Sequence, residues 1–165
     1  MKFTIINGTN RIDNKSIEVS KVSQGIIKDL GHASRLITLD NFDTLFRGEY
    51  INLENANGAQ KVDLENMLWA DILIFVVPTY HHGIPSALKN FLDIVNDASV
   101  FDGKKVGSIA VGKDSKGVIQ TQQVLSGIFS YNENKSYILP KVAIISPSDI
   151  DTKRLQDYFK YCVNF

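Results

Sequence analysis

Apolar residues gather in five short blocks along this chain: Phe3–Ile6, Leu36–Leu39, Ile72–Val77, Val106–Val111 and Val142–Ile145. Each is rich in Val and Ile and nearly continuous rather than alternating. Strands covered on both faces read this way, and such strands belong to parallel sheets. Between the blocks the spacing changes to a helical one. Val19, Val22, Ile26 and Leu30 form a stripe closed by Gly31, a helix stop signal. Leu88, Phe91, Leu92 and Val95 form a second stripe behind Pro85. Val118–Phe129 is a third, less regular stretch. Leu155, Tyr158, Phe159 and Cys162 form the last, behind a cap region of Asp149, Asp151 and Thr152. Met67, Leu68 and Trp69 read as core on a short helix just before the third strand.

Strand and helix alternate from one end of the 165 residues to the other, without internal repeat, low-complexity tract or linker. The pattern predicts one α/β domain over residues 1–165: a five-stranded parallel sheet with helices on both faces, in strand order 2-1-3-4-5. The longest irregular stretch, Asn41–Ala59, carries Gly48 and Gly58 and predicts a site rim or a subunit contact.

Composition narrows the function classes. Apolar residues make up 44% of the chain and charged residues 22%, the profile of a folded domain. The formal net charge is zero, so no long-range field draws the protein to nucleic acid or to an acidic membrane. No window approaches the roughly 20 apolar residues of a membrane span. The apolar run at Met1–Gly8 is too short for a signal peptide, which makes the cytoplasm the expected location. A lone cysteine, Cys162, excludes an internal disulfide, and its place on an apolar stripe assigns it to the core.

Ligands of such sheets bind beyond the carboxyl ends of the strands where the strand order reverses. Three loops of unusual composition fall there. The first, Gly8–Ser16, offers a turn glycine, the short polar side chains of Thr9, Asn10, Asn14 and Ser16, and the charges of Arg11 and Lys15. It leads into a helix N-terminus, so it reads as an anion site; a solvated turn capped by Asn14 or Ser16 accounts for the same residues. Gly-x-Gly-x-x-Gly is absent, and Lys15 and Ser16 lack the spacing of a triphosphate-binding loop. The second loop, Pro78–Pro85, carries Thr79, Tyr80, His81, His82 and Gly83 and suits a planar ligand. Adjacent His81 and His82 diverge and have no carboxylate or thiol at ligand spacing, which argues against metal. The third, Val111–Gly117, brings Gly112, Lys113, Asp114 and Ser115; alone it reads as a surface turn.

Together these loops resemble the NADPH-dependent FMN reductase family of flavin, quinone and azo-dye reductases, whose fold is a flavodoxin-like three-layer αβα sandwich. Gly8, Thr9, Arg11 and Ser16 fit the family's first loop. Pro78, Tyr80, His81, Pro85, Leu88, Lys89, Asn90 and Asp93 fit its longer second signature. The likeness extends through Gln120–Pro140 to most of the chain. It implies FMN as cofactor, with NADPH or NADH as co-substrate and a small-molecule electron acceptor. It also implies a homodimer or homotetramer, with the Leu88–Val95 helix as a contact. Thr9, Asn10, Arg11, Asn14 and Ser16 would then hold the phosphate. Pro78, Thr79, Tyr80, His81 and Gly83 would line the flavin ring, and Gly112, Lys113, Asp114 and Ser115 would approach its pyrimidine side. No dedicated acid–base pair is demanded. Thr79 stands where the family has Glu, Ser86 replaces a common Gly, and Lys113 and Asp114 interrupt a run of glycines. Two other readings stay open: a flavodoxin-like FMN carrier without NAD(P)H activity, and a sensor that has lost the flavin.

Overall fold

The computed structural model describes residues 1–42, 50–95, 98–130, 136–145 and 149–165. Five parallel strands, β1 (Lys2–Asn7), β2 (Ala33–Thr38), β3 (Ile72–Pro78), β4 (Lys104–Gly112) and β5 (Ser136–Ile145), form one sheet. The order is β2-β1-β3-β4-β5, with Ile5 opposite both Leu36 and Ile74. Five helices connect and close them: α1 (Ser16–Asp29), α2 (Gly58–Trp69), α3 (Ser86–Ile94), α4 (Ser115–Ser130) and α5 (Thr152–Asn164).

The pleat of β3 explains why this strand is apolar at every position. Leu73, Phe75 and Val77 point to one face, where they pack with Leu64 and Met67 of α2, Leu88 and Phe91 of α3, and Leu125 and Phe129 of α4. Ile72, Ile74 and Val76 point to the other, against Val19 and Ile27 of α1 and Leu155 and Phe159 of α5. This is the three-layer sandwich and strand order expected from the chain pattern.

Helix ends follow their local chemistry. Gly31 has φ +81°, the left-handed conformation that ends α1 without a side-chain penalty. Asp151 caps α5 by accepting the Arg154 amide at 2.9 Å. Burial pushes the thiol pKa of Cys162 up to about 12, which fits a packing role.

One expectation needs correction. The helix before β3 is not short: a capping box starts it at Asn57, whose Oδ1 accepts the Gln60 amide at 3.0 Å while Gln60 Oε1 accepts the Asn57 amide at 3.1 Å. Its buried face includes the polar Gln60 and Asp63 beside Leu64 and Met67, so no apolar stripe marks it. The stretch Asn41–Ala59 is correspondingly less irregular, and Gly48 lies outside the described residues. The apolar stripe of α3 faces the chain's own core. Leu88 and Phe91 are fully buried in the chain's own core, and Phe91 stacks edge-on against Phe42 at 4.8 Å.

Candidate functional site

Strand order reverses around β1, which pairs with β2 on one side and β3 on the other, so the loop after β1 stands over the resulting crevice. The Gly8 amide donates to Val76 O at 2.8 Å, seating the loop directly on β3. A Cβ at Gly8 would stand 3.2 Å from Leu88 Cδ2, Val76 O and Val77 Cγ2, so this close approach favours glycine.

Side chains fix the rest of the loop. Asn7 Nδ2 donates to Thr9 O at 3.0 Å, Thr9 Oγ1 accepts the Arg11 amide at 3.2 Å, and Asn14 Nδ2 donates to Arg11 O at 2.6 Å. Asn14 Oδ1 accepts the Ile17 amide at 2.9 Å, satisfying one of the free donors at the start of α1. The Ser16 hydroxyl lies 2.7 Å from Asn7 Oδ1 and 2.9 Å from Asn14 Oδ1. Above this frame opens a cavity of about 300 Å³ lined by Asn7, Thr9, Asn10, Arg11, Ile12, Asn14, Ile17, Thr38 and Asp40.

Beyond β3, residues Tyr80–Gly83 make a two-residue hairpin. Tyr80 and Gly83 exchange both backbone hydrogen bonds, at 3.1 and 2.9 Å. The turn residues His81 and His82 have φ of +49° and +60°, the double left-handed conformation of a type I′ turn. For residues with a Cβ this costs about 1–2 kcal/mol each. Such strain persists only where surrounding contacts over-determine it, and it collects at functional sites. The Arg11 guanidinium lies over the Tyr80 ring, 5.8 Å from its centroid, and joins the hairpin to the first loop.

The third loop packs against the hairpin from the β4 side. The Thr79 amide donates to Val111 O at 2.8 Å, and Thr79 Oγ1 lies 3.0 Å from Thr121 Oγ1 on α4. A Cβ on Gly112 would fall 2.8 Å from Val118 Cγ2 and 3.2 Å from Thr79 Oγ1; one on Gly117 would fall 2.8 Å from Thr79 Cγ2. Both glycines thus leave room for Thr79 and its neighbours. Asp114 Oδ1 accepts the Gly117 amide at 2.8 Å, and Asp114 Oδ2 lies 3.9 Å from His82 Nε2.

The three loops named from sequence therefore meet at one end of the sheet. Thr9, Asn10, Arg11 and Asn14 line the cavity; Ser16 lies buried beneath it, where its hydroxyl holds the loop together. Pro78, Thr79, Tyr80, His81 and Gly83 form the strand end and hairpin, and Gly112, Lys113, Asp114 and Ser115 form the neighbouring turn. Sequence reading missed Asn7, Thr38, Asp40 and Thr121. Asn7 was legible as a polar residue ending an apolar strand. Thr38 ends β2, the strand next to the first loop, and Asp40 follows in the turn just after it, with Thr38 Oγ1 donating to Asp40 Oδ2 at 2.6 Å. Thr121 gave no local signal.

Fold and site together define an α/β protein with a polar, arginine-bearing loop and a left-handed hairpin at the strand ends of a 2-1-3-4-5 sheet. Residues 1–150 match the family model of the NADPH-dependent FMN reductases, and the chain belongs to that family. Membership assigns it FMN as cofactor and a reduced nicotinamide nucleotide as electron donor. Among solved structures it resembles the apo form of the NADH:FMN oxidoreductase EMOB, with a TM-score of 0.80 and 18% identity over 99% of this chain and 89% of that one. It also resembles FerB, a flavoenzyme NAD(P)H:(acceptor) oxidoreductase from Paracoccus denitrificans, with a TM-score of 0.74 and 16% identity over 99% and 95% of the two chains. A flavodoxin of Streptococcus pneumonia TIGR4 superposes with a TM-score of 0.68 and 14% identity over 99% of both chains. At these identities the likeness is one of fold.

Proposed function

We propose that the protein is an NAD(P)H-dependent FMN oxidoreductase that passes electrons to a small acceptor such as a quinone, an azo compound or free flavin. The observation that carries this reading is the meeting of the Thr9–Asn14 loop with the Tyr80–Gly83 hairpin, joined by Arg11 over the Tyr80 ring.

The residues present fit FMN. A cavity of about 300 Å³ suits the phosphate end of the molecule rather than the whole of it, and its wall combines Arg11, three asparagines and two threonines near the start of α1, with Asp40 at its β2 edge. The flat, partly apolar hairpin beside it suits the ring, with Pro78, Thr79, Tyr80, His81 and Gly83 on the β3 side. Gly112, Lys113, Asp114 and Ser115 bound the far side. Bound FMN supplies the redox chemistry, taking a hydride from the reduced nicotinamide and releasing electrons to the acceptor. The chain's task is to bind and orient. Arg11 would neutralise phosphate charge, Thr9 and Asn14 would hold the loop, and the hairpin would offer a surface for the ring. No acid–base dyad is needed for this chemistry. Among the described residues, no helix is long and apolar enough to cross a membrane. A homodimer or homotetramer fits the exposed apolar side chains Ile119 and Val124 on α4.

Purified protein tests the reading. A yellow preparation bleached by NADPH or NADH, and recoloured by a quinone or azo dye, supports it. A yellow preparation that neither nucleotide bleaches indicates an electron carrier. A colourless protein that ignores added FMN refutes the flavin site.

A further inference from the structure

We infer that Thr121, in the middle of α4, is a positioning residue that locks the Tyr80–Gly83 hairpin in its left-handed turn; the role assigned to that turn rests on the flavin reading above. Thr121 is fully buried, and its hydroxyl stands 3.2 Å from Gly83 O and 3.0 Å from Thr79 Oγ1. Hydrogen counting fixes the direction of this chain. Gly83 O can only accept, so the single Thr121 hydrogen goes to it, and Thr79 must donate to Thr121 Oγ1. A relay thus runs from the end of β3, through α4, to the last residue of the hairpin. Gly83 O accepts from both Thr121 and the Tyr80 amide, which uses both of its lone pairs.

A threonine inside a helix ordinarily returns its hydroxyl to a carbonyl one turn back, or points it at water. Thr121 does neither. Other side-chain ties reach the hairpin less directly. Arg11 and Thr9 Oγ1 meet only the outer end of the Tyr80 side chain, at 5.8 Å from the ring centroid and 3.4 Å from the hydroxyl. His82 to Asp114 at 3.9 Å joins two side chains more than half exposed, where solvent screens it. The buried tie is therefore the one able to hold two consecutive left-handed histidines in place. The amides of His81 and His82 meet no acceptor among the described residues, so the locked turn keeps two backbone donors available to a ligand.

The test compares Thr121→Val, which keeps the shape and removes the hydroxyl, with Thr121→Ser, which keeps the hydroxyl. In apo protein, hydrogen–deuterium exchange of the peptide spanning residues 79–84 should speed at least fivefold in Thr121→Val and stay within twofold of wild type in Thr121→Ser. In the same pair, the FMN dissociation constant should rise about tenfold for Thr121→Val, with a shifted flavin absorption band, and return to within twofold for Thr121→Ser. If Thr121→Val leaves exchange unchanged, or speeds exchange but leaves FMN affinity and spectrum unchanged, the positioning role is overturned. Should Thr121→Val fail to fold, Thr121→Ala removes the same hydroxyl without setting a methyl group against Gly83 O, with the same expectation. A wild-type protein that binds no FMN refutes the flavin reading separately, while the exchange measurement still decides whether Thr121 holds the turn.

Discussion

The hydroxyl of Ser16 donates to the side-chain oxygen of Asn7 across 2.7 Å, and both side chains are buried beneath the loop that follows β1. This bond spans the loop from the last residue of β1 to the first of α1. Ser16→Ala leaves Asn7 Oδ1 buried without its donor, a loss of about 1–3 kcal/mol. Urea denaturation should show that loss, and FMN affinity should fall with it as the loop loosens. An unchanged unfolding midpoint would show that Ser16 does not secure the loop.

Arg11 should behave in the opposite way. It is exposed and lines the cavity, so Arg11→Ala should leave the unfolding midpoint within about 0.5 kcal/mol of wild type. FMN binding should weaken by about 1.5–3 kcal/mol, the scale of a hydrogen bond to a charged group. Titration of apo protein followed by flavin fluorescence measures this directly. Equal affinity would remove Arg11 from the phosphate site.

Gly117 lies inside α4, where alanine ordinarily stabilises a helix by about 1 kcal/mol. Here the new methyl would meet Thr79 Cγ2 at 2.8 Å and His82 Cδ2 at 3.2 Å. Gly117→Ala should therefore destabilise by about 1–3 kcal/mol, the range for overpacking. Thr79→Ser removes the opposing methyl and should recover part of that loss. A double-mutant cycle measures the coupling, and additive effects would refute the contact.

Asp63 makes the stability pH-dependent. Burial raises its pKa above the usual carboxylate value, the Asn41 amide bonded to it at 2.8 Å opposes that rise, and the Asp40 charge adds to it. A carboxyl with a raised folded-state pKa binds its proton more tightly in the folded than in the unfolded chain. Its contribution is therefore fully present below the unfolded value of 3.8 and is lost as pH rises through the raised folded value. Asp63→Asn removes this titration, so the melting temperature of the variant relative to wild type should climb between pH 4 and pH 7. A constant difference across that range would refute the assignment.

The sequence by itself determined the layers and which loops stand at their ends. Five Val- and Ile-rich blocks alternating with helical stripes admit few arrangements other than a parallel sheet covered on both faces. The Gly8–Ser16 loop, the Pro78–Asp93 block and Val111–Gly117 could be assigned to strand ends because each follows an apolar block directly. Periodicity reports which side of an element is buried, and that information is local.

Only the tertiary structure decided which residues face one another. Thr79 and Thr121 are 42 positions apart, and their contact depends on β3 pairing with β4 and on the pitch of α4 behind it. Asp40 reaches the cavity over the first loop because β2 lies beside β1, a neighbour relation that no spacing within β2 encodes. The same holds for Gly112 and Gly117, which make room for Val118 and Thr79 across the fold. The left-handed pair His81 and His82 carries no glycine to announce it. Its conformation is imposed by the backbone bonds closing the hairpin and the buried hydroxyl that holds Gly83, and such an override of local preference becomes visible only once the chain is folded.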